Sequence, residues 1–268
     1  RGRQLNVSER GAIQDVCYGT LRHLGQLRAV LDQLAPKPIV SPELRTLLLT
    51  ALYQLEYSEA APYAVVDCAV ECAARIAGEH VKPFANAVLR NYQRRREALL
   101  ANAAALDEGR FSYPGWWIER LRHDLGPDAE RILDMGNRHP PMTLRTNARR
   151  GSASEYLHRL RQAGLDARRL DNDALVLARP VPVDRLPGFG EGVVSVQDAG
   201  AQLAATLLDV EDGMRVLDAC AAPGGKTAHI LELADVDMTA LDADAVRLQR
   251  LRSNLQRLRL SAHLQAAD

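Results

Sequence analysis

The sequence has few of the residues that mark several specialised protein classes. Only four of its 268 residues are cysteines, and they are not spaced like a disulfide framework: Cys17, Cys68, Cys72 and Cys220. This scarcity favours the reducing environment of the cytoplasm. Cys68 and Cys72 lie one helical turn apart, but no second pair of cysteine or histidine residues completes a zinc site. We therefore predict buried thiols and no metal.

Long apolar runs are also missing, and none approaches the roughly 20 residues that a membrane-spanning helix needs. No membrane contact is therefore expected. The sequence begins with Arg1 rather than Met, so no signal peptide can be read from it. Aromatic residues make up only 4% of the chain, while its charged content of 25% is that of an ordinary globular protein. The length suits two or three compact units.

Lysine is scarce as well. The chain has 34 basic and 34 acidic side chains, and among the basic ones only Lys37, Lys82 and Lys226 are lysines. Arginine binds phosphate through two parallel hydrogen bonds and stacks on bases, which suits an RNA-binding protein. A GC-rich genome would produce the same bias, so composition alone leaves the function open.

The first hundred residues have the apolar spacing of consecutive helices. Ser41 and Pro42 form a helix start, and Gly78 ends the next periodic segment. Strand patterns are absent from this region. The sequence therefore predicts an all-helical bundle over residues 1–103.

A cationic cluster follows the apolar residues of the third periodic segment, and it consists of Arg90, Arg94, Arg95 and Arg96. A run of this kind is usually a solvated helix face. Contact with RNA phosphates is the more specific interpretation, because clustered cations attract the backbone of a nucleic acid. The pattern leaves both interpretations open.

Beyond residue 103 the sequence pattern predicts short strands and helices. Strands are expected at 143–147 and 174–178, around a helix at 154–163, which predicts a small α/β unit over residues 104–190. From residue 191 onward strands and helices alternate, which predicts a parallel sheet wrapped by helices. Its expected strands are 193–196, a buried strand at 215–219, and 238–241; its expected helices are 199–208, 227–233 and 245–258.

The segment from Cys220 to Thr227 reads C-A-A-P-G-G-K-T and joins a predicted strand to a predicted helix. Such a turn presents backbone N–H groups at a helix N-terminus, at the edge of the sheet where ligands bind. A phosphate-binding loop would need glycine where Cys220 stands, and the dinucleotide fingerprint G-x-G-x-x-G is absent. An adenosyl pocket needs a glycine turn and an acid at the end of the next strand, a position that Asp242 fills.

Each of these features has an ordinary alternative. Gly224 and Gly225 could form a simple strand-to-helix turn, and Asp242 could cap the helix that follows it. Their placement in register on neighbouring strands favours a pocket for a nucleoside-containing cofactor.

The motif C-A-A-P-G-G-K-T resembles the adenosylmethionine motif of RNA cytosine-5 methyltransferases. Further segments narrow the resemblance to the bacterial 16S ribosomal RNA methyltransferases of the RsmB/Sun type: residues 18–22, 52–55, 84–90, 138–142, 144–147 and 194–199. The resemblance implies a multidomain α and α/β fold. It places a NusB-like RNA-binding bundle over 1–103, a middle linker and RNA-binding α/β subdomain over 104–190, and the start of a truncated Rossmann-like methyltransferase domain over 191–268.

The resemblance also implies S-adenosyl-L-methionine as the cofactor. The implied contacts are seven consecutive residues and two acids: Cys220, Ala221, Ala222, Pro223, Gly224, Gly225, Lys226, Asp242 and Asp268. Asp242 would hold the ribose hydroxyls, and Asp268 would lie near the adenine amino group. The implied partner is 16S ribosomal RNA or a small-subunit assembly intermediate, bound by a monomer in the cytoplasm. Arginines expected to contact the RNA are Arg90, Arg94, Arg95, Arg96 and Arg145.

Methyl transfer to carbon 5 of cytosine needs a cysteine thiolate that adds to carbon 6. In the family both working cysteines lie beyond the acid matched by Asp268, and no Pro-Cys or Thr-Cys pair occurs in this chain. We therefore expect no catalytic residue here and no activity on the family's implied target, cytosine 967 in the reference numbering. We also expect exposed leucines on the last helix, at Leu251, Leu255 and Leu258. The alternative function is that of a non-catalytic NusB-like RNA-binding protein.

Overall fold

The computed structural model describes residues 6–267. Contacts divide the chain into two compact units, Arg1–His139 and Pro140–Asp268. Within the described residues, no helix combines the length and the apolar character needed to cross a membrane.

The first unit is built from helices throughout its described part. Its α-helices are α1 (Val7–Arg22), α2 (Leu24–Leu34), α3 (Pro42–Tyr57), α4 (Pro62–Ala77), α5 (Lys82–Ala104), α6 (Asp107–Phe111), α7 (Gly115–Leu125) and α8 (Ala129–Gly136). The predicted all-helical character of this region is thus confirmed, but the helices continue beyond residue 103 to Gly136, where an α/β unit was predicted. Local signals set its boundaries: the Ser41 hydroxyl accepts the N–H of Leu44 at 3.1 Å, and Gly78 ends α4 with a φ of 96°.

The cysteines correct one prediction, because all four thiols are exposed rather than buried. On α4 the side chains that enter the core are Val65, Val66, Ala69 and Ala73. Cys68 and Cys72 precede Ala69 and Ala73 by one position, which rotates them off the buried face of the helix. No group of three or more metal-ligating side chains occurs in residues 6–267.

The second unit begins with a four-stranded antiparallel sheet. Its elements are β1 (Thr143–Thr146), α9 (Ala153–Gln162), β2 (Ala167–Arg169), β3 (Leu175–Leu177) and β4 (Val194–Val196). The strand order is β2-β3-β1-β4. β2 was not predicted, because its three residues are largely exposed and show no apolar alternation.

The strand predicted at 193–196 does not join the parallel sheet. It is β4, and it pairs antiparallel with β1 in the register Leu144↔Val196 and Thr146↔Val194. This pairing buries Val194 in one cluster with Leu144 and Leu175. The hydrophobic contact with those side chains explains why β4 closes the antiparallel sheet instead of opening the next one.

A three-stranded parallel sheet follows. The elements of this part are α10 (Ala199–Leu207), β5 (Arg215–Asp218), α11 (Gly225–Leu233), β6 (Asp237–Asp242), α12 (Ala245–Leu258) and β7 (His263–Ala266). The strand order is β5-β6-β7, so β6 is central. β5 was predicted to be buried, but it pairs only with β6 among the described residues, and Leu217 is 60% exposed.

The leucines of α12 were predicted to be exposed, and this prediction is wrong. Leu251, Leu255 and Leu258 are buried, because α12 packs on a cluster that includes Met238 and Ala240 of β6. Two adjacent parallel strands and their helices are therefore enough to cover this face of α12. An exposed leucine lies instead on β5, at Leu217.

Arginines join the two sheets of the second unit. The Arg257 guanidinium, from α12, donates to the carbonyl oxygens of Phe189 at 2.7 Å and Val194 at 3.0 Å. Arg149 donates from the segment after β1 to the carbonyl of Leu231 in α11 at 2.8 Å. These side-chain bonds end on backbone carbonyls, and they link parts of the unit that strand pairing does not connect.

Candidate functional site

The predicted cofactor loop lies between the end of β5 and the start of α11. The Ala222–Pro223 peptide is cis, and Gly224 has a φ of 102°. A Cβ atom at Gly224 would meet the buried side chain of Leu251, so both the backbone conformation and the contact with α12 require glycine. A Cβ atom at Gly225 would lie 3.8 Å from the Gln197 side chain, an ordinary contact.

The loop is braced from within by a carboxylate of β5. Asp218 accepts the hydroxyl of Thr227 at 2.7 Å and the N–H of Cys220 at 3.3 Å. Thr227 is fully buried in this contact. In a phosphate-binding loop that hydroxyl would be directed to a metal ion. Here it closes the loop on itself, which argues against the phosphate-loop interpretation.

Asp242 lies at the end of β6, beside the loop. Its carboxylate accepts the N–H of Ala222 at 3.1 Å and the N–H of Asp244 at 3.0 Å. The Asp244 N–H chiefly holds the pKa of Asp242 below its ordinary value, and the N–H of Ala222 and the charge of Arg247 add to the effect. The carboxylate is therefore ionised at neutral pH.

The helix-cap interpretation of Asp242 is wrong. Asp244 caps α12, because its carboxylate accepts the N–H groups of Val246 at 2.7 Å and Arg247 at 3.2 Å. Asp242 instead ties the loop to the central strand. Two of the predicted site residues, Ala222 and Asp242, are thus brought into direct contact.

Arg247 also lies at this site, although it is not among the predicted residues. Its guanidinium donates to the carbonyl oxygen of Ala222 at 2.7 Å and to the Asp242 carboxylate at 3.4 Å. It stands in the first turn of α12, five positions after Asp242. A cation that follows a strand-end acid at this distance is the signal that could have identified it.

The remaining predicted residues divide into three groups. Ala221 is buried, and its N–H donates to the carbonyl of Leu241 at 2.8 Å. Cys220, Pro223 and Lys226 are exposed along the loop. Asp268 lies outside the described residues.

Arg145 has a different role from the predicted one. Its guanidinium is buried and forms two bonds with Glu232 of α11, at 2.9 and 2.7 Å. It also donates to the carbonyl of Gly225 at 2.8 Å and to Gln197. The prediction that Arg145 contacts RNA is corrected, because its N–H groups point into the fold and position the cofactor loop.

Glu232 is the buried partner of this ion pair. Burial raises the pKa of its carboxyl, and the hydrogen bonds and charge of Arg145 oppose that rise. The bidentate geometry is the strong form of an arginine–carboxylate contact. It links β1 of the antiparallel sheet to the helix that carries the loop.

The arginine cluster of α5 is exposed, but its members differ in their contacts. Arg96 forms a bidentate pair with Glu56, at 2.7 and 2.6 Å. Arg90 and Arg94 donate only to neutral amides, those of Gln93 and Asn91. The backbone of Arg95 leaves helical geometry, with φ −118° and ψ 16°, and its side chain has no partner among the described residues. Three of the four cations are therefore available to a phosphate.

Three family models match the chain. Residues 1–94 match the NusB family, residues 113–184 match the ferredoxin-like domain of the RsmF/B-like methyltransferases, and residues 205–268 match the 16S rRNA methyltransferases RsmB/F. The first match coincides with the helical bundle. The third covers β5, the cofactor loop and the elements that follow.

A similar protein is ribosomal RNA small subunit methyltransferase B of Vibrio cholerae. It is 42% identical over 270 residues, which cover 99% of this chain and 62% of the relative. The chain thus spans about 62% of the length of that relative.

Solved structures share the fold. The crystal structure of PH0851 matches with a TM-score of 0.74 and 22% identity, covering 98% of this chain and 62% of that one. The crystal structure of NSun6 from Pyrococcus horikoshii with SFG matches with a TM-score of 0.51 and 17% identity, covering 58% of this chain and 65% of that one. At these identities the likeness concerns the fold alone.

Proposed function

The chain belongs to the RsmB/F family of 16S rRNA methyltransferases, and from that premise we propose that it takes part in cytosine-5 methylation of 16S rRNA. It carries the RNA-docking helices and the first part of an S-adenosyl-L-methionine pocket. The observation that carries this proposal is the contact between Ala222 and Asp242, because it joins the glycine turn to an ionised acid on the neighbouring strand.

The residues of the loop suit an adenosyl group. Asp242 would accept the ribose hydroxyls, since a carboxylate offers about four acceptor positions and the structure uses three of them. One of those donors is the side chain of Arg247, which can give way to a hydroxyl without disturbing the backbone. SFG, which accompanies the related NSun6 structure, is an analogue of adenosylmethionine.

Residues 220–226 of the loop would contact the bound cofactor, and Asp268 would lie near the adenine. Adenosylmethionine supplies an electrophilic methyl group. This chain would bind and orient the cofactor through its loop and through Asp242. Arg145, held by Glu232, fixes the position of Gly225 by donating to its carbonyl oxygen.

Catalysis needs a thiolate that adds to carbon 6 of the target base. None of the four cysteines stands in a motif that supplies it, and Cys220 is part of the cofactor loop. We propose that this chain by itself transfers no methyl group. Its target within the ribosome is proposed to be cytosine 967, by family resemblance.

The proposed partner is 16S rRNA or a small-subunit assembly intermediate, which the chain meets in the cytoplasm as a monomer. Arg90, Arg94 and Arg95 supply the cations that remain unpaired on α5. A stretch of exposed arginines without carboxylate partners suits phosphate contact better than a purely structural role.

Equilibrium binding of adenosylmethionine tests the pocket. We expect saturable binding to the chain and a loss of about tenfold or more in Asp242→Asn, because a hydrogen bond to a charged group contributes roughly 1.5–3 kcal/mol. Asp237→Asn is the matched control, since Asp237 is exposed at the opposite end of the same strand. Circular dichroism checks that both variants are folded.

Equal affinities of the two variants for adenosylmethionine would show that Asp242 does not contact the cofactor. RNA binding without any adenosylmethionine binding would favour the alternative of a non-catalytic RNA-binding protein. RNA binding and adenosylmethionine binding are both measured on the same purified chain.

A further inference from the structure

The chain has two tryptophans, and both are exposed side by side in the first turn of α7. Trp116 is 67% exposed and Trp117 is 38% exposed. Tryptophan is highly buried on average, and exposed apolar patches mark interaction surfaces. The local core includes neither ring, because its buried residues are Phe111, Ile118 and Leu133. Packing within the described part of the chain therefore does not account for the two indoles.

The geometry of the pair leaves aromatic surface free. The two rings meet edge to face, with their centroids 5.5 Å apart and their planes at 77°. The ring that contributes its edge keeps both of its faces clear of the other ring. An indole face attracts cations more strongly than the other aromatic side chains do, and guanidinium groups stack on it. The pair therefore suits a cationic ligand.

Two carboxylates flank the tryptophans. Glu108 accepts the N–H of Gly115 at 2.7 Å, which places its charge beside the residue that precedes Trp116. Glu119 follows Trp116 by one helical turn, on the same side of α7. It is exposed and has no hydrogen bond or ion pair within residues 6–267. A cation on the indoles would thus have negative charge next to it.

The positive charges of this region are already neutralised. Residues 105–139 hold seven acidic side chains against five arginines. Four of these arginines form ion pairs: Arg110 with Glu130, Arg120 with Asp124, Arg122 with Asp107 and Glu130, and Arg131 with Asp128. The backbone of a nucleic acid would meet an excess of negative charge here, whereas a basic protein segment would meet complementary charge.

We propose that Trp116 and Trp117, together with Glu108 and Glu119, form a docking site for a cationic segment of a protein partner, rich in arginine or lysine. The indole faces receive the side-chain cations, and the two carboxylates pair with them. Tryptophan is also among the residues that contribute most to the binding energy of protein interfaces. The site shares no residue with the cofactor loop or with the arginine cluster of α5, so the proposal depends neither on adenosylmethionine nor on RNA.

The intrinsic fluorescence of the whole chain reports on this surface alone, because both of its tryptophans lie there. A titration with a short arginine homopeptide tests the site. We expect a saturable change in tryptophan emission, and an affinity that falls as salt is added. The affinity for the same peptide, labelled and followed by anisotropy, should fall about tenfold in Trp116→Ala. It should fall about twofold to fivefold in Glu119→Gln, the effect of one exposed charge.

Tyr63→Ala and Glu59→Gln are the matched controls. Tyr63 is an exposed aromatic residue of α4, and Glu59 is an exposed acid without a partner in the part of the chain that the structure describes. Both variants should bind the peptide like the parent chain. Circular dichroism checks that all four variants are folded.

The proposal is overturned if the arginine peptide leaves the emission unchanged, or if Trp116→Ala binds it as tightly as the parent chain does. It is also overturned if a glutamate homopeptide causes the same change, because the surface would then not select cations. A change of emission with single-stranded RNA, together with weaker RNA binding in Trp116→Ala, would assign the surface to RNA and contradict the proposal.

Discussion

Gly224 and Gly225 are adjacent in the sequence but differ in what the structure requires of them. Gly224 has positive φ and packs on Leu251, whereas Gly225 is the first residue of α11 and has space for a Cβ atom. We therefore expect Gly224→Ala to lower the local stability of the loop and α11 by about 1–3 kcal/mol, the usual cost of backbone strain. Gly225→Ala should change it by less than about 0.5 kcal/mol.

Hydrogen exchange of the α11 and α12 amides is the suitable measurement for this pair. Both tryptophans, Trp116 and Trp117, lie on α7 in the first unit, so their fluorescence does not follow the second unit. Similar exchange rates in the two variants would show that Gly224 is not the constrained position. The sequence motif itself could not separate the two glycines, because the contact with Leu251 is made by a residue distant in the chain.

At the scale of elements, the buried pair of Arg145 and Glu232 joins β1 to α11. Arg145→Met leaves a buried carboxylate without its partner, which should reduce the stability of the second unit by about 3–5 kcal/mol. The double variant Arg145→Met/Glu232→Leu should recover much of that loss, because the uncompensated charge is removed. Hydrogen exchange of β1 and α11 measures the effect.

A surface pair is the control for that cycle. Asp235 is mostly exposed and bonds Arg149 at 2.6 Å. Asp235→Asn should change stability by less than about 1 kcal/mol, since solvent screens such pairs. Equal losses in Arg145→Met and Asp235→Asn would mean that the buried pair does not hold the two elements together.

The elements that could be predicted from the sequence are those with local signals. The range 245–258 matches α12 because four leucines keep the helical period, and α3 begins where Ser41 and Pro42 indicate. Pairing of strands is not a local property. β4 was therefore assigned to the wrong sheet, since its partner β1 lies some fifty residues earlier in the chain.

The same distinction applies to the site. The contact between the predicted loop and Asp242 could be anticipated, because a strand, a turn and the next strand end follow one another in the sequence. The role of Arg145 could not, because it depends on a contact made only in the folded chain. Arg247 was also missed, although its position shortly after Asp242 is a sequence signal. Arg145 in particular looked like a surface cation, although its partner Glu232 lies on a helix that follows much later.

On the scale of the whole molecule, the proposed contact between RNA and the arginines of α5 predicts how RNA binding should respond to salt. Arg90→Gln/Arg94→Gln should weaken binding to all RNA sequences alike, and the slope of log affinity against log salt should fall by roughly 0.7 for each lost phosphate contact. Arg96→Gln is the internal comparison, because Arg96 is held by Glu56 and should change the slope less. Unchanged slopes in the double variant would assign these arginines to a solvated helix face.

The last prediction concerns methyl transfer by the whole chain. The purified protein, incubated with unmethylated small-subunit RNA and radiolabelled adenosylmethionine, should incorporate no label into cytosine above a blank without protein. The reason is chemical: carbon 5 of cytosine becomes nucleophilic only after a thiolate adds to carbon 6.

Ribosomal RNA small subunit methyltransferase B of Vibrio cholerae, assayed in parallel, is the control for the RNA and the cofactor. Of the four thiols in this chain, Cys17, Cys68 and Cys72 lie on helices of the first unit, and Cys220 stands in the loop proposed to hold the cofactor. The Cys220→Ser variant therefore separates the remaining possibilities. Label that appears with the parent chain and disappears in Cys220→Ser would make Cys220 the nucleophile, and the proposed role of the loop would then be wrong.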